Sequence, residues 1–140
     1  MSDADHKDAI RELLAEYCFL LDGHQFAEFS RLFTADGDWL SRNGNASGPA
    51  AIEQLLSAML PPEAQRKHFT SNIVIKLDGA QATVRSNFMA VRQSPAGPAI
   101  AVAGTYEDEV VLLEGRWLFK SRRLFHDIAG ESGLNTVAKK

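Results

Sequence analysis

The chain has 140 residues, of which 45% are hydrophobic, and its formal net charge is −3 at pH 7. This length and composition predict one domain with a real buried core. The acidic balance and the lack of a long Lys/Arg run argue against a nucleic-acid-binding protein. Since no apolar stretch reaches the roughly 18 residues of a membrane-spanning helix, and the acidic start is unlike a signal peptide, we expect a cytoplasmic protein.

The first helix is the clearest local pattern in the chain. Apolar residues recur at helical spacing from Ile10 to Leu21, which predicts an amphipathic helix with one buried stripe. The single cysteine, Cys18, lies on that stripe, so a buried structural thiol is expected and an intrachain disulfide is excluded. After the helix, Asp22 and Gln25 have the spacing of a capping box, which predicts Asp22 as the N-cap of the next helix.

Two more helices and one short strand are predicted before the middle of the chain. A short helix with an aromatic face is expected from Phe26 to Phe33, followed by a strand at about 35–40 and a loop at Asn43-Gly44-Asn45. A third helix is expected to begin near Pro49, because proline fits the first turn of a helix. Pro61-Pro62 is expected to end it.

After Pro62 the hydrophobic period changes from that of a helix to that of a strand. Four strands are predicted, at about 66–77, 81–92, 99–113 and 116–126. Helices followed by a run of antiparallel strands predict an α+β fold, with three N-terminal helices wrapped against a curved antiparallel sheet. We expect a single domain over 1–140, with its core at about 8–127 and a flexible tail at 128–140.

Two polar residues stand in apolar settings, Asp22 at the end of the first helix and His68 in the first long strand. If the two side chains meet, the carboxylate can fix the tautomer of the imidazole and stabilise its protonated form. Such a histidine is suited to act as a general base near neutral pH. Strict alternation along the strand places Thr70 and Asn72 on the same face as His68.

The order of elements and several short segments resemble the SnoaL-like group of the nuclear-transport-factor-2-like superfamily. The resemblance runs from about residue 8 to residue 127 and implies a cone-shaped α+β fold. The segments that carry it are Tyr17…Leu21-Asp22, Phe29…Leu32-Phe33…Asp36-Gly37-Asp38-Trp39, Gly48…Ile52, His68-Phe69…Asn72, Gly104-Thr105-Tyr106 and Gly115-Arg116-Trp117-Leu118-Phe119.

The resemblance also implies a role for the two polar residues. Asp22 and His68 match the Asp–His pair of scytalone dehydratase and hexachlorocyclohexane dehydrochlorinase, two families that remove a proton from carbon and expel a leaving group. The lysine that the dehydrochlorinase carries on its first helix has no counterpart here. We expect no metal and no cofactor, because the four histidines lack metal-site spacing and no Gly-rich phosphate loop is present.

Five other residues are weaker candidates for contacts with a substrate. Instead of contacting a substrate, the aromatic candidates could lie in the core, and Arg85 could lie on an exposed face of the sheet. His126 ends the last predicted strand and is a candidate rim residue. The five candidates are Tyr17, Trp39, Asn72, Arg85 and Phe88.

These observations favour a small cofactor-independent lyase or isomerase, similar to a dehydratase or a cyclase. Its expected substrate is a hydrophobic, aromatic or polyketide-like molecule, with His68 as the base and Asp22 as its partner. The alternative is a non-catalytic ligand-binding or assembly module, such as a protein similar to the small subunit of a ring-hydroxylating dioxygenase.

The chain is also expected to self-associate as a dimer or trimer. The run from Val110 to Leu113 is apolar at every position instead of alternating. A strand of this kind is buried on both faces, and a second copy of the chain would supply part of that cover. No membrane or nucleic-acid partner is expected.

Overall fold

Three helices lie against one face of a six-stranded sheet. The computed structural model describes residues 1–129. In chain order the elements are α1 Asp3–Asp22, α2 Phe26–Ser30, β1 Phe33–Ser41, β2 Gly44–Ser47, α3 Pro49–Met59, β3 Arg66–Asp78, β4 Gln81–Ser94, β5 Gly97–Leu113 and β6 Arg116–Ala129. Within this part of the chain, no helix is both long and apolar enough to cross a membrane.

The sheet is mixed, which corrects the expectation of a purely antiparallel one. Its strand order is β2-β1-β6-β5-β4-β3. The four strands after α3 form an antiparallel meander, as predicted, but β1 pairs with the last strand, β6, in parallel. The long path from β1 through α3 and the meander brings the two strands together in the same direction, a pairing that local periodicity does not reveal.

The α+β class and all four long strands are confirmed, with differences at the boundaries. The predicted strand at 35–40 spans Phe33–Ser41, so Phe33 belongs to β1 instead of the second helix. The expected loop at 43–45 instead belongs largely to a short hairpin strand, β2, which pairs with β1. Residues 128–129 continue β6, while the rest of the expected tail, 130–140, lies outside the described residues.

The predicted N-cap role of Asp22 is wrong. Asp22 is the last residue of α1, and α2 begins after Gln25, whose side chain makes no capping hydrogen bond. The capping box of the chain is instead at the start of α1, where the Ser2 hydroxyl accepts from the Asp5 backbone N–H. The carboxylate of Asp22 is occupied by a residue far away in sequence, as described below.

The centre of the domain holds an ion pair that the sequence patterns did not indicate. Arg122 donates from Nε and Nη2 to the two carboxylate oxygens of Asp108, at 2.8 and 2.9 Å. Both side chains are fully buried. Burial opposes the charge on Arg122, but the adjacent Asp108 carboxylate more than offsets it and raises the pKa of the guanidinium. Arg122 therefore stays charged inside the core.

Aromatic rings enclose this guanidinium. Its central carbon lies 3.5 Å from the ring centre of Tyr106 and 4.2 Å from that of Tyr17. Phe119 provides a third ring at 4.6 Å. Cation–π contacts of this kind become stronger when water is excluded, so the rings help to stabilise the buried charge.

We predict that Asp108→Asn destabilises the fold strongly, because it leaves the charge of Arg122 buried without a counter-ion. The expected loss is about 3–5 kcal/mol in the free energy of unfolding, measured by urea denaturation. The control is Asp8→Asn, whose pair with Arg11 is exposed and should matter little. A loss below about 1 kcal/mol for Asp108→Asn would contradict the structural role of the pair.

Candidate active site

Asp22 and His68 meet between the end of α1 and the start of β3. His68 Nδ1 lies 2.6 Å from Asp22 Oδ1, and the backbone N–H of His68 donates to Asp22 Oδ2 at 2.9 Å. The two side chains are only 10% and 15% exposed. Both carboxylate oxygens therefore hold the same residue, one at its ring and one at its backbone.

This geometry determines which ring nitrogen of His68 is available. A carboxylate oxygen can only accept a hydrogen bond, so the proton of the neutral imidazole lies on Nδ1. Nε2 is then unprotonated and can accept a proton from a ligand. Because the backbone of His68 is also bonded to Asp22, the ring is held at a fixed distance from the helix end.

A cavity of about 290 Å³ lies in front of His68, between the helices and the concave face of the sheet. Most of its wall is apolar, from α1, α3 and the meander. Its polar groups come from α1, β1, the β1–β2 turn, β3, β5 and β6. The lining residues are Tyr17, Leu21, Trp39, Asn43, Leu56, Met59, Leu60, Arg66, His68, Phe88, Val102, Tyr106, Leu124 and His126.

Three of the weaker candidates, Tyr17, Trp39 and Phe88, line this cavity. Trp39 Nε1 donates to the Tyr17 hydroxyl at 2.9 Å. Burial raises the pKa of Tyr17, so its fully buried hydroxyl stays protonated. Phe88 stacks on Tyr106, with ring centres 4.2 Å apart, and forms part of the apolar wall.

The other two candidates, Asn72 and Arg85, lie away from the cavity. The register of β3 shifts between Ser71 and Val74, and Asn72 has a φ of 56° within this bulge. The bulge turns Asn72 to solvent, which corrects the alternation that placed it beside His68. Arg85 is exposed on the outer face of the sheet, where it lies opposite Glu107 in register.

The structure adds Asn43 and Arg66 to the site and places the rim candidate His126 on the cavity wall. His126 Nδ1 is buried and has no hydrogen-bond partner within residues 1–129. Burial lowers the pKa of His126, and the nearby Arg42 lowers it further. The signal for Arg66 was available in the sequence, because it precedes His68 by two positions and shares its strand face.

A second groove, of about 260 Å³, lies on the other side of the Asp22–His68 pair, between α1 and β3. Its floor includes Cys18, whose thiol is 3.4 Å from the Thr70 hydroxyl, and its edge includes the exposed ring of Phe19. His68 borders both spaces. The cavity of about 290 Å³ is the better candidate for the site, because it combines His68 with Tyr17 and His126.

We predict that Asp22→Asn destabilises the protein by about 1–3 kcal/mol, the cost of leaving a buried donor unpaired. An asparagine side chain has one accepting oxygen, whereas the ring and the backbone N–H of His68 need two. Urea denaturation measures the loss, with Asp78→Asn, an exposed change at the end of β3, as the control. Equal stability of the two variants would contradict the bridging role of Asp22.

We also predict a pH-dependent contribution of His126 to stability. Because its pKa is lowered from 6.5 in the folded state, the unfolded chain binds the proton first as the pH falls. The folded state therefore loses stability below about pH 6.5, until the lowered pKa is passed. His126→Gln should reduce this fall, measured as the difference in unfolding free energy between about pH 7 and 5. An unchanged pH dependence in the variant would contradict the prediction.

Several solved structures share this fold over most of their length. A protein of unknown function from Mycobacterium tuberculosis is 26% identical, with 91% of this chain and 77% of that chain covered at a TM-score of 0.83. A candidate scytalone dehydratase from Novosphingobium aromaticivorans is also 26% identical, over 94% of this chain and 95% of its own, at a TM-score of 0.77.

A third structure, from Catenulispora acidiphila in complex with S-DNPA, is 21% identical over 99% of this chain and 100% of its own. Its TM-score is 0.83, and at this identity the likeness shows the fold alone. No match to the sequence was found among the curated proteins compared with it. The family model of the SnoaL-like domain matches residues 2–123, nearly the whole described chain, and the protein therefore belongs to the SnoaL-like family.

Proposed function

We propose that this protein is a small cofactor-independent lyase or isomerase that removes a carbon-bound proton from a hydrophobic cyclic substrate, with His68 as the base. The observation that carries this proposal is the 2.6 Å contact between His68 Nδ1 and Asp22 beside a mostly apolar cavity. A paired, oriented imidazole beside a mostly apolar cavity is an arrangement suited to general-base catalysis.

The proposed reaction uses each group for one task. The C–H bond breaks, its proton goes to His68 Nε2, and its electron pair moves into the substrate as an enolate or a new double bond. The Asp22 carboxylate stabilises the imidazolium that forms. The Tyr17 hydroxyl is the proposed donor to the developing oxyanion, since it lines the cavity and stays protonated.

Two outcomes can follow proton removal. An isomerase returns the proton from His68 to another carbon or oxygen of the same substrate. A lyase transfers it to a departing hydroxyl, which leaves as water. The resemblance to a candidate scytalone dehydratase supports the second outcome, and the cavity of about 290 Å³ is of the size that takes a small ring system.

The second candidate is a binding or assembly module. An apolar row on the outer face of the sheet favours it. Phe69, Met89, Ala103 and Ile128 are aligned in register across β3, β4, β5 and β6. The Phe69 and Ile128 side chains are 51% and 65% exposed. A continuous apolar row of this kind is suited to pack against a second copy of the chain, and we propose a homo-oligomer on this basis.

The experiment that tests the enzymatic function uses two bicyclic ketones. Tetralone in D₂O reports proton removal through deuterium uptake at the α-carbon, followed by NMR. The β-hydroxy derivative of tetralone reports elimination, because loss of water gives a naphthol. We expect the wild-type protein to accelerate one of these reactions and His68→Gln to lower the rate by about 10²-fold or more.

The matched control is His24→Asn. His24 lies in the turn after α1, where its Nε2 contacts the Pro61 carbonyl oxygen at 3.1 Å, and its φ of 59° suits asparagine. This variant should keep the wild-type rate. If wild-type, His68→Gln and buffer give equal rates with both ketones, the binding-module hypothesis replaces the enzymatic one.

A further inference from the structure

Arg66 lies in the same cavity as His68 and on the same face of β3. The two residues are two positions apart, which separates them by about 6–7 Å along an extended strand. The cavity therefore presents a permanent cation close to the proposed base. The proposed proton transfer does not use this cation.

No carboxylate within residues 1–129 forms an ion pair with Arg66. Its register partner on β4 is a second arginine, Arg92. Burial lowers the pKa of Arg66, and the charge of Arg92 lowers it further. A half-buried guanidinium is unfavourable unless an anion compensates its charge.

A further cation lies near the lining residue His126. Arg42 adjoins the lining residue Asn43, and its charge contributes to the lowered pKa of His126. The chain as a whole has a net charge of −3, so the charge of Arg66 is opposite in sign to that of the molecule. Among the described residues that line the cavity, Arg66 is the one with a permanent charge, and a cation in a mostly apolar cleft favours an anionic ligand.

We infer that Arg66 is a specificity-determining residue that binds a carboxylate group of the substrate and places the adjacent ring carbon before His68. The ligand class is an aromatic or polyketide-like acid, whose rings contact the apolar wall. The guanidinium fork matches a carboxylate with two parallel hydrogen bonds, which fixes orientation as well as position. The positioning step rests on the proposed function, whereas acid binding does not.

The test compares naphthoate with naphthamide, two bicyclic probes of nearly equal shape that differ in charge. Isothermal titration calorimetry gives the ratio of their Kd values for each variant. Wild-type protein is expected to prefer the acid by about 10-fold or more, as charge-assisted hydrogen bonds imply. Arg66→Gln should bring the ratio near one, and Arg66→Lys should restore part of the preference because the charge returns without the fork.

Arg116→Gln is the matched control, since Arg116 is exposed at the β5–β6 turn and does not line the cavity. It should keep the wild-type ratio. Arg66→Gln should fold normally by circular dichroism, because it removes an unfavourably placed charge. Equal binding of acid and amide by the wild type, a preference that survives in Arg66→Gln, or no binding of either probe would overturn the inference.

One further variant separates this inference from the proposed function. His68→Gln should still prefer naphthoate, since Arg66 remains, even though turnover of the ketone probes is lost. A wild-type protein that prefers the acid but processes neither ketone nor its ring-carboxylated derivative would retain the carboxylate site and reject the enzyme. A protein that processes the ketones without preferring the acid would retain the enzyme and reject the carboxylate site.

Discussion

The site depends on one carboxylate that joins the end of a helix to the beginning of a sheet. Asp22 accepts from the ring of His68 with one oxygen and from its backbone with the other. The first bond determines the tautomer, and the second sets the distance between α1 and β3. Both bonds come from one carboxylate, so the shape of the cavity and the tautomer of His68 depend on the same residue. The fold and the proposed chemistry therefore both rest on Asp22.

The buried Arg122–Asp108 pair supports two aromatic side chains of the cavity wall. The Arg122 guanidinium contacts Tyr17 and Tyr106, and both of these rings also line the cavity. Tyr17 in turn accepts from Trp39, so the aromatic wall is connected to a charge that cannot move without breaking two hydrogen bonds. A wall fixed in this way reorganises little when a ligand binds, which favours preorganised electrostatic stabilisation.

The lining of the cavity combines two kinds of side chain. Apolar side chains from α3 and the meander form most of the wall, while Arg66, His68 and His126 contribute polar groups from β3 and β6. Such a cavity orients a ligand that is itself asymmetric, with an apolar body and one polar group. Family membership alone fixes neither substrate nor reaction, because one fold supports many activities, and the proposed function therefore rests on these residues.

The sequence by itself determined the α+β class, the three helices, the four long strands and the Asp22–His68 candidate pair, because these follow from hydrophobic period, turn residues and a family resemblance. Tertiary structure decided the parallel β1–β6 pairing, the bulge that turns Asn72 outward, and the strand register that brings Arg122 into the core beside Asp108. A bulge reverses the alternation of every later residue, and long-range pairing leaves no local period. For that reason the sequence patterns predicted the helices and strands, whereas only the folded sheet showed which side chains face the cavity.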